Sequence, residues 1–225
     1  FIVQKITLIQ SPRPNKTLNN KICDIDVQDT NGNTVKLALC EGVNLMKCLQ
    51  MQSKWTASFA AQLEQLQNQN PEVELIDLLK KGDFQDAHWK WAEKCLALST
   101  EDYIWFSLES SNDVETAIVI KHPHDSRFNS DAIYYIDYLA IAPWNRQNSI
   151  SNRKFKGLGP MLMKEAGKYL NVQLKYREGF SLHSLPQASA FYTKIGMIDF
   201  GPDVTKQNLN YFEMKQIDAV GFING

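Results

Sequence analysis

The chain has 225 residues, 44% of them apolar and 22% charged, the make-up of a globular protein that buries a core without metal or disulfide staples. Its 24 Lys and Arg nearly balance 25 Asp and Glu, for a net charge of −1; this disfavours a broad nucleic-acid footprint and leaves room only for a local basic patch. No apolar run approaches the roughly 20 residues of a membrane helix, so no membrane association is expected. Residues 1–10 lack the basic lead and small-residue cleavage site of a secretory signal, and a cytoplasmic location is expected. Cys23, Cys40, Cys48 and Cys95 show no CxxC spacing. Buried free thiols are expected, although Cys23 and Cys40 fall on adjoining β-rich runs.

Residues 1–9 (FIVQKITLI) are β-rich and stop at Ser11-Pro12-Arg13-Pro14, a loop signal. Residues 22–27 and 35–39 read as a hairpin whose connection, 29–33, contains the Asn31-Gly32 step that favours positive φ. Leu45, Cys48, Leu49, Trp55, Phe59, Leu63 and Leu66 recur at three- and four-residue steps, which predicts a helix over about 43–68 that Asn70-Pro71 ends. Leu75, Leu78 and Leu79 start a second helical piece, broken at Gly82. Phe84, His88, Trp91, Cys95 and Leu98 form a third stripe, with His88 read as a packed core histidine and Trp89 and Trp91 as core filling or groove lining.

From residue 102 the texture becomes β-rich, with runs at 103–108, 116–120 and 133–141. A helix is predicted over about 159–170, then a strand at 180–185, a short helix at 186–195 and strands near 198–200 and 209–214. The expected fold class is α/β in the α+β sense: a mixed, largely antiparallel twisted sheet flanked by helices. Residues 1–98 would supply N-terminal strands and helices, and 99–225 the core.

The informative stretch is Lys154-Phe-Lys-Gly-Leu-Gly-Pro160, between a buried strand and an apolar-faced helix. Gly157 and Gly159 permit unusual φ and close ligand approach, and Pro160 suits a first helical turn. Free N–H groups and the positive helix end make an anion site, beside Lys154 and Lys156. A glycine turn of this kind also occurs for purely structural reasons. The Walker loop is excluded, since no Gly-Lys-Ser/Thr follows, and Leu162 stands where the dinucleotide fingerprint needs a small residue. His122 and His124 lack further ligands at a recognisable spacing, so no metal is expected.

In context, the sequence resembles the GNAT superfamily of acyl-CoA-dependent N-acetyltransferases. The resemblance rests on Tyr138-Leu-Ala-Ile-Ala-Pro143 followed by Lys154-Phe-Lys-Gly157-Leu-Gly159, and on Ala188-Ser-Ala-Phe191-Tyr192-Thr-Lys-Ile195-Gly196-Met197. It spans about residues 100–215, with the helices at 43–98 matching loosely. Lys154 departs from the usual Arg or Gln, keeping the charge without the planar fork, and the loop 144–153 is longer than in compact members.

The resemblance implies acetyl-CoA as acyl donor and a primary amine as acceptor. Leu139, Ala140 and Ile141 would pair with the pantetheine arm, and an amide at about Leu139 or Ile141 would polarise the thioester. Lys154, Lys156, Gly157, Leu158 and Gly159 would hold the pyrophosphate. Tyr192 would protonate the leaving thiolate or else pack beside Phe191. Asp137 or His183 would act as base, directly or through water, with Asp137 equally readable as a structural carboxylate and Glu213 as a further candidate. Period-two alternation would put Tyr135, Asp137 and Leu139 on one face. A homodimer is possible on this pattern. The alternatives are a non-catalytic acyl-CoA-binding module and an enzyme acting on aminoacyl-tRNA.

Overall fold

The computed structural model describes residues 19–81, 84–146 and 152–225, apart from the side chains of 80 and 81. The strand expected at 1–9 lies outside the described residues. The chain builds β1 (Asn20–Gln28), β2 (Thr34–Glu41), α1 (Leu45–Gln69), α2 (Leu75–Lys81), α3 (Trp91–Ala97), β3 (Tyr103–Glu109), β4 (Val114–Asp125) and β5 (Ala132–Ile141). There follow α4 (Leu158–Leu174), β6 (Phe180–Ser184), α5 (Ser189–Lys194), β7 (Ile198–Asp203), β8 (Leu209–Glu213) and α6 (Gln216–Asn224).

The described strands form one eight-stranded sheet in the order β1-β2-β3-β4-β5-β6-β8-β7. Only β5 and β6 run parallel; the other pairings are antiparallel. The fold is thus a mixed α/β architecture with a mostly antiparallel open sheet flanked by helices. A parallel pair needs a crossover, and α4 supplies it, with its N-terminus at the carboxyl end of β5.

Two apolar layers clamp the sheet. On one face Leu158, Leu162, Met163, Ala166 and Leu170 of α4 meet Phe106, Ile118, Ile136 and Phe212. On the other, Cys48, Met51 and Trp55 of α1 and Trp91 and Cys95 of α3 cover Trp105, Val119 and Ala140. Trp55 and Trp91 meet edge to face at 5.6 Å, the arrangement the ring quadrupole favours. Asn44 caps α1 by accepting from the Lys47 amide at 2.8 Å.

Several local expectations change. The third stripe forms a helix only over Trp91–Ala97, because residues 85–88 make turns. His88 is exposed rather than packed in the core. All four cysteines are free, as expected, but Cys23 is exposed, since it pairs with Leu39 on an outer strand and not with Cys40. The C-terminal helix α6 has no counterpart in the sequence expectations; it buries Ala219 and Ile223.

β5 carries a bulge. Its register on β4 steps from Ile120↔Ile136 to Val119↔Tyr138, leaving Asp137 as the extra residue. The bulge reverses the alternation, so Tyr135, Asp137 and Leu139 do not share a face. Leu139 packs with the α4 layer and Tyr138 with the α1–α3 layer.

Candidate functional site

β5 and β6 pair only from Tyr134↔Phe180 to Ile136↔Leu182. Beyond that point β6 continues onto β8 and β5 continues along β4 to Ile141. The two strands separate, and residues 137–141 have no strand partner on the β6 side among the described residues. The Ala142 amide donates to the Glu115 carbonyl of β4 at 3.0 Å. Strand alternation then turns the Leu139 and Ile141 amides the other way, into the gap. The gap opens into a cleft of about 790 Å³ lined by Asp137, Leu139, Ala140, Ile141, Gly157, Leu158, Gly159, His183 and Tyr192 among others. Lys154 and Lys156 do not line it.

At the head of the cleft, α4 begins with bare amides. Gly157 caps the helix at φ 73°, with no side-chain capping bond. The first N–H groups of a helix have no intrahelical partner; here Pro160 has none to offer, and Met161 bonds the Gly157 carbonyl at 3.1 Å. Among the described residues, the amides of Leu158 and Gly159 have no partner. A Cβ on Gly157 would meet no atom within 4 Å, so the space before these amides is open, whereas one on Gly159 would come 3.3 Å from Ile141 Cδ1. Gly159 therefore sets the close approach of α4 to β5. Open amides, helix polarity and an adjoining free strand edge fit an anionic group joined to an extended polar arm.

Glu115 anchors this loop. Its fully buried carboxylate accepts from Trp144 Nε1 and Asn145 Nδ2, each at 2.7 Å, and from Lys154 Nζ at 2.8 Å. Asn145 Oδ1 in turn accepts from the Phe155 amide at 3.0 Å. The β1–β2 turn grips the same segment: the Thr30 amide donates to the Lys154 carbonyl at 3.0 Å and Thr30 Oγ1 to the Arg153 carbonyl at 2.6 Å. Lys154 is thereby engaged with a carboxylate instead of facing the cleft, and Lys156 is exposed. Glu115 belongs to an apolar strand run, and a charge inside such a run was the available signal; the sequence expectation started that strand one residue later. Glu115→Ala should orphan two buried donors, costing roughly 3 kcal/mol and lowering Tm by about 6–12 °C. Thermal unfolding measures this, and an unchanged Tm would contradict the anchoring role.

Tyr192 reaches the cleft from α5 but is only 7% exposed, with its ring 5.2 Å from that of Phe191 and 5.9 Å from that of Phe212. Burial pushes its phenol well above the usual range, so it stays protonated. Asp137 lies in the bulge, and burial raises its carboxyl, against the opposing pull of Lys206, Lys94, Lys121 and His183.

His183 is tied at both nitrogens. Nε2 lies 3.2 Å from Asp203 Oδ2 and Nδ1 lies 2.8 Å from the Tyr135 hydroxyl. An ionised Asp203 only accepts, so Nε2 carries the proton and Nδ1 receives the Tyr135 hydrogen bond. Thr205, through its hydroxyl and its amide, holds Asp203 far below the usual carboxylate range. Burial lowers the His183 pKa, with Asp203 opposing, so the neutral ring is favoured. Both ring nitrogens of His183 are thus engaged by side chains of the chain itself.

Glu213 does not line the cleft. It is fully buried and accepts from Ser126 Oγ, the Arg127 amide at 2.8 Å, Arg177 at 3.0 Å and Tyr211 at 3.0 Å. Among the described residues no cluster of His, Cys, Asp and Glu is arranged to hold a metal ion, and no helix is long and apolar enough to cross a membrane.

No protein-family model and no curated protein sequence matches the chain. Solved structures do. A GNAT-family acetyltransferase from Listeria monocytogenes is 11% identical, with 85% of this chain and 98% of that one aligned at a TM-score of 0.43. The PaiA N-acetyltransferase from Thermoplasma acidophilum, in complex with coenzyme A, is 14% identical over 79% and 98% of the two chains at 0.47. An acyl-CoA N-acyltransferase from Pseudomonas aeruginosa is 12% identical over 79% and 97% at 0.45. GNAT-family acetyltransferases are thus among the solved structures to which this chain is similar.

Proposed function

We propose that the protein is an N-acyltransferase that moves an acetyl or other short acyl group from an acyl-CoA to a primary amine by direct attack in a ternary complex. The observation that carries this reading is the unpaired edge of β5 running into the bare amides of α4. The amides of Leu158 and Gly159 would hold the pyrophosphate, with Lys156 nearby and Lys154 acting through Glu115 to hold the loop in shape. Residues 139–141 would add the pantetheine arm as an extra strand. Acyl-CoA supplies an activated thioester, and the Leu139 or Ile141 amide would stabilise the charge that develops on its carbonyl oxygen. Tyr192, neutral at any physiological pH, would deliver a proton to the departing sulfur.

Asp137 is the candidate proton acceptor for the amine, and the burial that raises its pKa strengthens it as a base. A base must be deprotonated to work, so kcat/KM should rise with pH through the Asp137 pKa. The acidic limb should lie above the ordinary carboxylate value of about 3.9. Asp137→Asn should remove that limb, and a limb unchanged by the substitution would return Asp137 to a structural role.

The reading as a whole is tested by calorimetry with acetyl-CoA, followed by thiol release over a panel of amines. Binding in the micromolar range together with amine-dependent thiol release is expected. A protein that binds acetyl-CoA without releasing thiol to any amine would instead be a non-catalytic carrier-binding module, and one that does not bind would lose the reading altogether.

A further inference from the structure

Three side chains that line the cleft are primary amines, Lys90, Lys94 and Lys206. Lys94 projects from α3 into the cleft wall, with Nζ 3.5 Å from the ring centroid of Tyr138 and 5.4 Å from that of Trp89. The two rings stand edge to face at 4.9 Å and frame the end of the lysine stem. Tyr138 immediately precedes Leu139, whose amide faces the gap where β5 and β6 part. An amine is therefore held on the ring of the residue next to that stretch of strand, in the wall of the cleft a thioester would enter.

We propose that Lys94 is a site of self-acylation, its ε-amine accepting the acyl group of an acyl-CoA bound in the same molecule's cleft. This rests on the acyl-CoA reading and extends it to a residue of the chain as acceptor. The reaction balances without a redox partner: the neutral amine attacks the thioester carbon, a C–N bond forms and the C–S bond breaks. The nitrogen gives up one proton, with Asp137 as the nearby carboxylate, and the departing sulfur takes one up. The product is an amide on Lys94 and a free CoA thiol.

Position and surroundings single out Lys94 among the lysines of the cleft. Lys90 points to Glu93 at 2.9 Å and its side chain is 66% exposed; Lys206 is likewise exposed. Lys94 is half-buried, and that burial lowers its proton affinity against the opposing charges of Asp137 and Glu93. A larger neutral fraction and a fixed position both favour attack. Acylation would replace a cation on the Tyr138 face with a neutral amide, changing the charge that an incoming acceptor meets.

The test uses the full chain, freed of prior acetylation with a lysine deacetylase and incubated with acetyl-CoA. Peptide mapping by mass spectrometry follows the gain of one acetyl group, and calorimetry measures acetyl-CoA binding in parallel. Lys94 should be modified at least about tenfold faster than Lys90 or Lys206, with a first-order rate constant independent of protein concentration. Lys94→Arg should bind acetyl-CoA yet lose the modification, and heat-unfolded protein should lose the selectivity. Binding without modification of Lys94, equal labelling of the exposed lysines, or a rate that scales with protein concentration would overturn self-acylation and leave the acyl-CoA reading standing. Absence of acetyl-CoA binding would overturn both.

Discussion

Replacing Gly157 with Val should weaken acyl-CoA binding by about 10–10⁴-fold, the loss of one or two charge-assisted amide bonds at roughly 1.5–3 kcal/mol each. Gly157 sits at φ 73° with open space beside it. A β-branched residue there is strained by about 1–2 kcal/mol and sets its methyl groups before the amides of Leu158 and Gly159. Gly159→Val should reach a similar loss by another route. Its side chain would press on Ile141, whose Cδ1 already lies 3.3 Å from where a Cβ would stand, and would force α4 away from β5. Calorimetry with acetyl-CoA reads the affinity, and circular dichroism separates it from unfolding. If both folded variants bind acetyl-CoA like the parent chain, the anion is not held at the head of α4.

Turnover should fall about 10²-fold or more in Tyr192→Phe, while the acetyl-CoA dissociation constant stays nearly unchanged. The phenol ring packs against Phe191 and Phe212, and Phe preserves that packing. Only the hydroxyl proton is lost. Burial keeps this proton on the oxygen, so the hydroxyl stays available as a donor to a departing thiolate. Acceptors whose reaction is limited by thiolate expulsion should suffer most. Full activity in the variant would assign Tyr192 to packing between α5 and the sheet, whereas a large loss of binding would point to a carrier contact instead of an acid.

The loop 153–159 shows how the outer strands bear on the cleft. The β1–β2 turn holds Lys154 and Arg153 through Thr30, and a β4 carboxylate holds the same segment from within. A loop meant to present amides to an anion must keep its shape before the ligand arrives, since ordering it on binding would weaken affinity. Glu115 and the hairpin turn supply that order from opposite sides.

Much of this molecule was legible in the linear chain because its signals are local. The fold class followed from apolar periodicities of two and 3.6. The α4 turn followed from glycines flanked by a strand and an apolar stripe, and the hairpin from Asn31-Gly32. What is set by contacts between distant residues had no such signature. The bulge at Asp137 comes from a register step against β4, and it moved Leu139 to the face opposite the one that simple alternation assigned. Folding brings Lys154 to Glu115, 39 residues earlier. β7 sets Asp203 against one nitrogen of His183 and β5 sets Tyr135 against the other. Local sequence determines which residues form strands, helices and turns, because backbone preference and apolar period act over a few residues. Which charge is neutralised, which amide stays open and which amines face the cleft were decided only when the chain folded, because electrostatic partners and desolvation depend on neighbours in space.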